Sequence, residues 1–290
     1  MGKSVYEIVT DRIVEQMNKG IVPWRRPWHG TTEGAVSYTT GKPYSLLNQL
    51  LLGKDGEWLT FNQIVQLGGK LKKGAKAGIV TFCKSYLKET KNEEDGEDST
   101  IASKFCLRYY HVYHLDDVDG IDSKLSTEGE KVQHEPIKVA ENVINEYIAR
   151  DGLKFHNDKP SNKAFYRPLS DEVVVPMIEQ YDEIAEYYST AFHELTHSTG
   201  HRKRLNRKSF ELGAKVAFGS EDYSQEELVA EIGSAMCLNK VGIDCEKAFK
   251  NSVGYLQSWL RVLKNDPKMI VFASAQAEKS TKYMFNEQED

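Results

Sequence analysis

The segment His193-Glu194-Leu195-Thr196-His197 constrains this chain more than any other. Its two histidines stand at positions i and i+4, and a helix places such a pair on one face. From there both rings reach a single Zn²⁺ at the roughly 2.0–2.1 Å of a Zn–N bond. Glu194 sits beside the first ring, where a carboxylate can take the proton of an activated water, as a metallopeptidase requires. The flanking residues supply the helix. Residues 182–192 contain neither Gly nor Pro, and Ile184, Tyr187, Tyr188, Ala191 and Leu195 recur at helical steps. Gly200 offers a stop, and Arg202, Lys203 and Arg204 fall near the negative end of the helix dipole. Upstream, Val173-Val174-Val175 closed by Pro176 reads as a strand.

Two imidazoles leave a tetrahedral ion short of a protein ligand. His201 lies about 12 Å from His193 along a continuous helix, so both reach one ion only if the helix breaks at Gly200. The longer zinc pattern, with a further His six residues after the second, fails because that position is Lys203. Downstream, Ser224 and Glu227 form a predicted capping box, opening a helix that carries Leu228, Ile232, Ala235 and Met236. Glu227 and Glu231 share one face of it, a turn apart. One can ligate the ion while the other orients a ligating histidine. Spacing alone does not rank the two.

Charge separates the halves of the chain. Overall the net charge is −5, which by itself argues against a nucleic-acid binder. Residues 1–88, however, hold 13 Lys and Arg against 6 Asp and Glu, whereas residues 89–100 hold 1 against 6. A basic N-terminal part joined to an acidic remainder is the asymmetry expected where one domain meets nucleic acid. Within the basic part, the Pro23–Pro27 segment cannot be helical throughout and brings together Trp24, Arg25, Arg26 and Trp28, a stacking-and-phosphate set suited to single strands. A Gly/Lys loop presents Lys70, Lys72, Lys73 and Lys76 for phosphate contact. Segments 79–87 and 101–114 read as two strands around an acidic, solvated loop, and 116–133 as a linker with a boundary near residue 125.

The quoted block around the two histidines extends through Ser198-Thr199-Gly200-His201 to Arg204-Leu205 and Arg207. With Tyr223 to Gly233, Ile21 to Trp28, Pro43-Tyr44 and Trp58 to Gln63, it resembles the ArdC-type antirestriction proteins over nearly the whole chain. The N-terminal segment is also similar to one in plasmid primases of the TraC type. The resemblance implies an α+β protein of two domains: an N-terminal ssDNA-binding domain over 1–125, and a C-terminal zincin-like, gluzincin-type metallopeptidase domain over 126–290. It implies Glu227 as third ligand and Glu231 as the outer carboxylate, with Glu194 as general base and Zn²⁺ as cofactor. Such proteins are carried on plasmids and other mobile elements and help incoming DNA escape restriction. The expected partners are therefore single-stranded DNA and a protein substrate from a restriction system, with no membrane. The competing reading is a non-catalytic shield that coats ssDNA and keeps a structural or vestigial metal site.

Length and composition agree with that picture. At 290 residues two cores are expected, and no apolar run approaches the roughly 20 residues of a membrane span. The first residues carry Glu7 and Asp11 on an amphipathic helix rather than a signal sequence. The four cysteines lack Cys-x-x-Cys spacing and read as reduced thiols of a cytoplasmic protein. Tyr166 stands on a predicted strand as a minor candidate for oxyanion support.

Overall fold

The computed structural model describes residues 2–19, 23–25, 34–90, 100–125, 136–207, 221–244 and 253–287. The chain is a two-domain α+β protein. Compactness groups Met1–Val9 with Gly30–Thr127, and Thr10–His29 with Glu128–Asp290. This division differs from the expected 1–125 and 126–290 in the segment Thr10–His29 and, by two residues, at the boundary after Thr127. Helix α1 (Val5–Asn18) opens on a capping box, with the Ser4 amide donating to Glu7 Oε2 at 2.6 Å and the Glu7 amide to Ser4 Oγ at 3.3 Å.

In the first unit, strands β1 (Ala35–Ser37), β2 (Gly56–Leu59), β4 (Gly78–Thr90) and β5 (Thr100–His114) form a sheet in the order β1-β2-β5-β4. Strands β4 and β5 are one long antiparallel hairpin in continuous register from Gly78↔Val112 to Thr90↔Thr100; the acidic loop residues 91–99 lie outside the described residues. Alternation in β2 sends Trp58 to a cluster with Ala35, Val80 and Val112, and Leu59 to one with Tyr38, Ile64 and Val118. Strands β1 and β4 are the two edges, and exposed edge amides invite foreign strands. Helix α2 (Leu46–Leu52) closes both. Asn48 Oδ1 accepts from the Thr81 amide at 2.7 Å and its Nδ2 donates to Thr81 O at 2.9 Å. Gln49 does the same at Ala35, accepting at 2.7 Å and donating at 2.9 Å. Two adjacent carboxamides thus bind the outer edges of β4 and β1, and at β1 they are joined by the segment 42–44, which bridges Val36 through Pro43.

Helix α3 (Phe61–Gln66) starts at the Thr60–Gln63 capping box. The expected linker from residue 116 begins as packed structure instead. Strand β6 (Val118–Asp119) pairs with β3 (Lys70–Leu71), the Tyr38 hydroxyl donates to Asp122 O at 3.0 Å, and Ser123 Oγ donates to buried Glu57 at 2.6 Å. These polar anchors add to the few apolar ones, Val118 and Ile121, which pack with Leu59 and Ile64.

The second unit holds α4 (Pro136–Asp151), a sheet of β7 (Lys154–His156), β8 (Phe165–Arg167) and β9 (Glu172–Val174), then α5 (Ile184–Thr199), α6 (Glu221–Val241), α7 (Val253–Asn265) and α8 (Met269–Met284). Sheet order is β7-β9-β8, with β7 parallel and β8 antiparallel to β9. Tyr147, Val173, Tyr188, Phe192, Leu195 and Leu238 lie in one buried cluster, which also holds Cys237 with its Sγ 3.8 Å from Thr281 Oγ1. Helix α6 begins at Glu221, so Ser224 lies inside it rather than capping it. Trp24 also belongs here. It is 2 % exposed and meets Trp259 edge-on, with ring centroids 6.5 Å apart. Its ring therefore has no free face for a DNA base, a correction to its expected stacking role. Among the described residues, no helix is long and apolar enough to cross a membrane.

A polar clamp fixes the turn between β8 and β9. Asp171, at φ 52°, accepts from Arg204 and from the Tyr166 hydroxyl at 3.0 Å, while Arg204 Nε donates to Ser198 O at 2.7 Å. Burial raises the Asp171 pKa, but the Arg204 hydrogen bond and charge outweigh it and hold the carboxyl below its ordinary 3.8. A depressed folded pKa gives stability that is present above the unfolded pKa and lost as pH falls through the folded one. Asp171→Asn, which tolerates the positive φ, should be less stable at neutral pH and show a flatter loss of stability below about pH 4. Denaturant midpoints measured from pH 7 to pH 2 check this; parallel curves for both proteins would refute it.

Candidate metal centre

Helix α5 runs without interruption through the two histidines because its inward face is apolar from Ala185 to Leu195. His193 and His197 meet edge-on with their Nε2 atoms 3.2 Å apart. Helix α6 brings Glu227 across, its Oε2 3.5 Å from His193 Nε2 and its Oε1 3.6 Å from His197 Nε2. One ligand atom from each of the three residues falls within a set spanning no more than 4.8 Å. The corners of a tetrahedron with Zn–N bonds near 2.05 Å are about 3.3 Å apart, so this nitrogen–nitrogen–oxygen set fits a small divalent cation. Side-chain exposures of 22 % for His193, 11 % for His197 and 29 % for Glu227 leave one side approachable by solvent. Such an open position separates a reactive metal site from a closed structural one.

Electrostatics add to the geometry. Burial alone would lower the His193 pKa, but the hydrogen bond to Glu227 and the charges of Glu194, Glu231 and Glu227 carry it up to about 9. The pocket is thus tuned for positive charge. Glu194 is buried at 8 % exposure, and its charge is felt by His193 and by the Tyr181 hydroxyl. His201, the alternative third histidine, lies past the end of α5 with its Nδ1 3.8 Å from Asp171, outside the converging set. Tyr166 is committed to Asp171 and Arg204.

One residue went unrecognised in sequence. Glu226, next to Glu227, places Oε1 3.2 Å from His197 Nδ1, the ring nitrogen turned away from the ligand cluster. Burial opposes its charge, yet the His197 hydrogen bond and the Arg207 charge hold its pKa at about 2. Glu231 lies near enough for its charge to act on His193.

The separation of α5 from α6 is set at Gly233. A Cβ there would lie 2.6 Å from Thr196 Cγ2 and 2.9 Å from its Oγ1. Thr196 cannot easily turn aside, since its hydroxyl donates to Phe192 O at 2.7 Å. Gly233→Ala should therefore cost about 1–3 kcal/mol by overpacking. Because Thr196 adjoins His197, it should also weaken metal binding. Urea melts and metal titration test this, and wild-type values for both would refute it.

The nucleic-acid candidates are only partly described. Arg26, Trp28 and the Arg25 side chain lie outside the described residues. Lys70, Lys72, Lys73 and Lys76 are all exposed, with Lys72 Nζ donating to Asp116 O at 2.8 Å and 3.7 Å from Asp119. The hairpin exposes aromatics absent from the sequence-based set: Phe82 at 53 %, Tyr110 at 45 % and Tyr109 at 38 %. Phe82 pairs directly with exposed Arg108, and Tyr110 follows two residues along on the same face.

Residues 142–276 match the profile of the zincin-like metallopeptidase family, and residues 3–113 that of the N-terminal domain of anti-restriction factor ArdC. Over 96 % of its length the chain is 30 % identical to a DNA primase TraC of Escherichia coli, of which it spans 26 %. It spans 20 % of a second TraC primase from the same organism, at 29 % identity. The metal-free crystal structure of the antirestriction ArdC protein from plasmid R388 superposes with a TM-score of 0.67 at 30 % identity, covering 99 % of this chain and 100 % of that one. The Mn(II)-bound structure of that protein gives 0.70 at 28 % identity, covering 98 % of each. A divalent cation is thus the cofactor class that both the fold and the converging side chains suit. With likeness running end to end through both domains, the chain belongs to the ArdC-type antirestriction proteins.

Proposed function

We propose that this antirestriction protein of a mobile element works in the cytoplasm, binding incoming single-stranded DNA and hydrolysing peptide bonds at a Zn²⁺ centre held by His193, His197 and Glu227. The observation that carries the peptidase half is the convergence of those three side chains beside buried Glu194. A zinc ion held by these three side chains would supply Lewis-acid polarisation of the scissile carbonyl and acidify a water. Glu194, beside His193, would take a proton from the attacking water on its carboxylate and return it to the departing amine. A restriction-system protein is the substrate class that fits the family's role.

The DNA half stands on the basic excess of the first 88 residues and on the exposed Lys70, Lys73, Lys76, Phe82, Arg108 and Tyr110. Aromatic faces accept unpaired bases whatever their identity, while lysine and arginine neutralise phosphates. Both halves are testable with the full chain. Zinc-loaded protein is mixed with purified restriction-enzyme subunits and with a fluorogenic peptide library, and cleavage is read by mass spectrometry. Anisotropy of a labelled oligothymidylate, against the same length of duplex, reads binding as salt rises. Phe82→Ala or Tyr110→Ala should weaken single-strand binding by roughly 1–3 kcal/mol if the ring stacks on a base. Absence of any cleavage would favour a coating shield; equal affinity for duplex would remove the single-strand reading.

A further inference from the structure

We infer that Glu226 and Arg207 form a positioning pair behind the metal ligands, fixing the tautomer and aim of His197 and so setting metal affinity. The inference rests on the metal-centre reading above. Histidines that bind metal ions usually donate their other ring N–H to a carboxylate, a backbone carbonyl or a water, which leaves the first nitrogen's lone pair facing the ion. Here Glu226 Oε1 meets His197 Nδ1 at 3.2 Å, and His197 Nε2 is the atom that faces Glu227.

Arg207 makes that carboxylate immobile. Its Nε donates to Glu226 Oε2 at 3.0 Å and its Nη2 to Oε1 at 2.6 Å, a two-pronged grip. The rest of the guanidinium is consumed locally. Nη1 donates to Thr199 Oγ1 at 2.7 Å and Ser280 Oγ at 2.9 Å, and Nη2 also to Thr196 O at 2.8 Å and His197 O at 3.3 Å. Those two carbonyls belong to the last turn of α5, where backbone acceptors lack helical partners and the dipole favours a cation. Every N–H of Arg207 is therefore engaged, and at 7 % exposure it has none left for substrate. Its role is to tie the end of the ligand helix to the carboxylate that orients His197. Arg207 follows the end of α5 and Glu226 lies in α6, so the pair also links the elements that carry the histidines and Glu227.

The test uses the full chain in wild-type form and as Glu226→Gln, Glu226→Asp and Arg207→Lys. Zn²⁺ affinity is read by competition with a chromophoric chelator. The His197 tautomer in zinc-free protein is read from its ring ¹⁵N shifts, and circular dichroism reports the fold. Wild type should hold the proton on Nδ1. Glu226→Gln should keep the fold, populate both tautomers and weaken Zn²⁺ binding about 10- to 100-fold. Glu226→Asp should restore part of the loss, and Arg207→Lys, which lacks the planar fork that matches both carboxylate oxygens, should lie between wild type and Glu226→Gln. Folded variants with wild-type affinity and an unchanged tautomer would overturn the inference, as would a wild-type ring protonated on Nε2. Should wild type bind no zinc, the metal-centre reading fails, while the tautomer shift still decides the positioning role.

Discussion

Glu194→Gln should retain Zn²⁺ and lose peptide hydrolysis by about a hundredfold or more, the usual reach of a positioned general base. The amide matches the carboxylate in size, so the packing around this buried residue is preserved. It cannot accept a proton, however, so the base adjoining His193 on the ligand helix is lost. Single-turnover cleavage and metal content, measured on one preparation, separate the two effects. Loss of metal together with activity would make Glu194 a folding residue rather than a base. Undiminished cleavage would remove it from the chemistry. The same substitution tested in recipient cells separates two modes of protection. Restriction escape that survives Glu194→Gln would come from DNA binding alone, as a coating protein would give it.

The ligand helix is legible in sequence because its information is local. Two histidines at i and i+4, an apolar stripe and a terminal glycine lie within a short span, and α5 ends at Thr199 with Gly200 as its cap. Glu227 and Glu231 are harder to rank, because periodicity gives both the same face and only the approach of α6 to α5 separates their roles. Glu226 is harder still. One residue before Glu227, it points about 100° away around the helix. It reads as a solvated acid until the fold brings His197 and Arg207 against it. Trp24 misleads for a related reason. Its sequence neighbours Arg25 and Arg26 suggest a DNA contact, whereas its packing partner, Trp259, lies in a distant helix. Strands β1 and β2 run three and four residues, too short for a period of two to declare itself. Asn48 and Gln49 carry no local signal, since their partners are the edges of strands elsewhere in the chain.

Replacing any one of His193, His197 and Glu227 by Ala should remove most bound zinc, since three protein ligands leave no spare donor. The readout extends beyond activity, because a cation that binds only the folded chain stabilises it by mass action. Zinc at a thousand times its dissociation constant would add about 4 kcal/mol to the wild type, and a chelator would take that increment away. The Ala variants should unfold at the same denaturant concentration with or without zinc. The site's own charges sharpen the expectation. Without the ion, Glu227 leans on His193 and His197 at 3.5 and 3.6 Å, so removing either histidine also strips partners from a partly buried carboxylate. Glu227→Ala instead leaves two imidazoles whose Nε2 atoms are 3.2 Å apart. Only one of those nitrogens can donate to the other, and this variant also loses the carboxylate that faces both rings, so it should be less stable than wild type even where zinc is absent. Equal zinc-dependent stabilisation of wild type and all three variants would place the cation elsewhere in the protein.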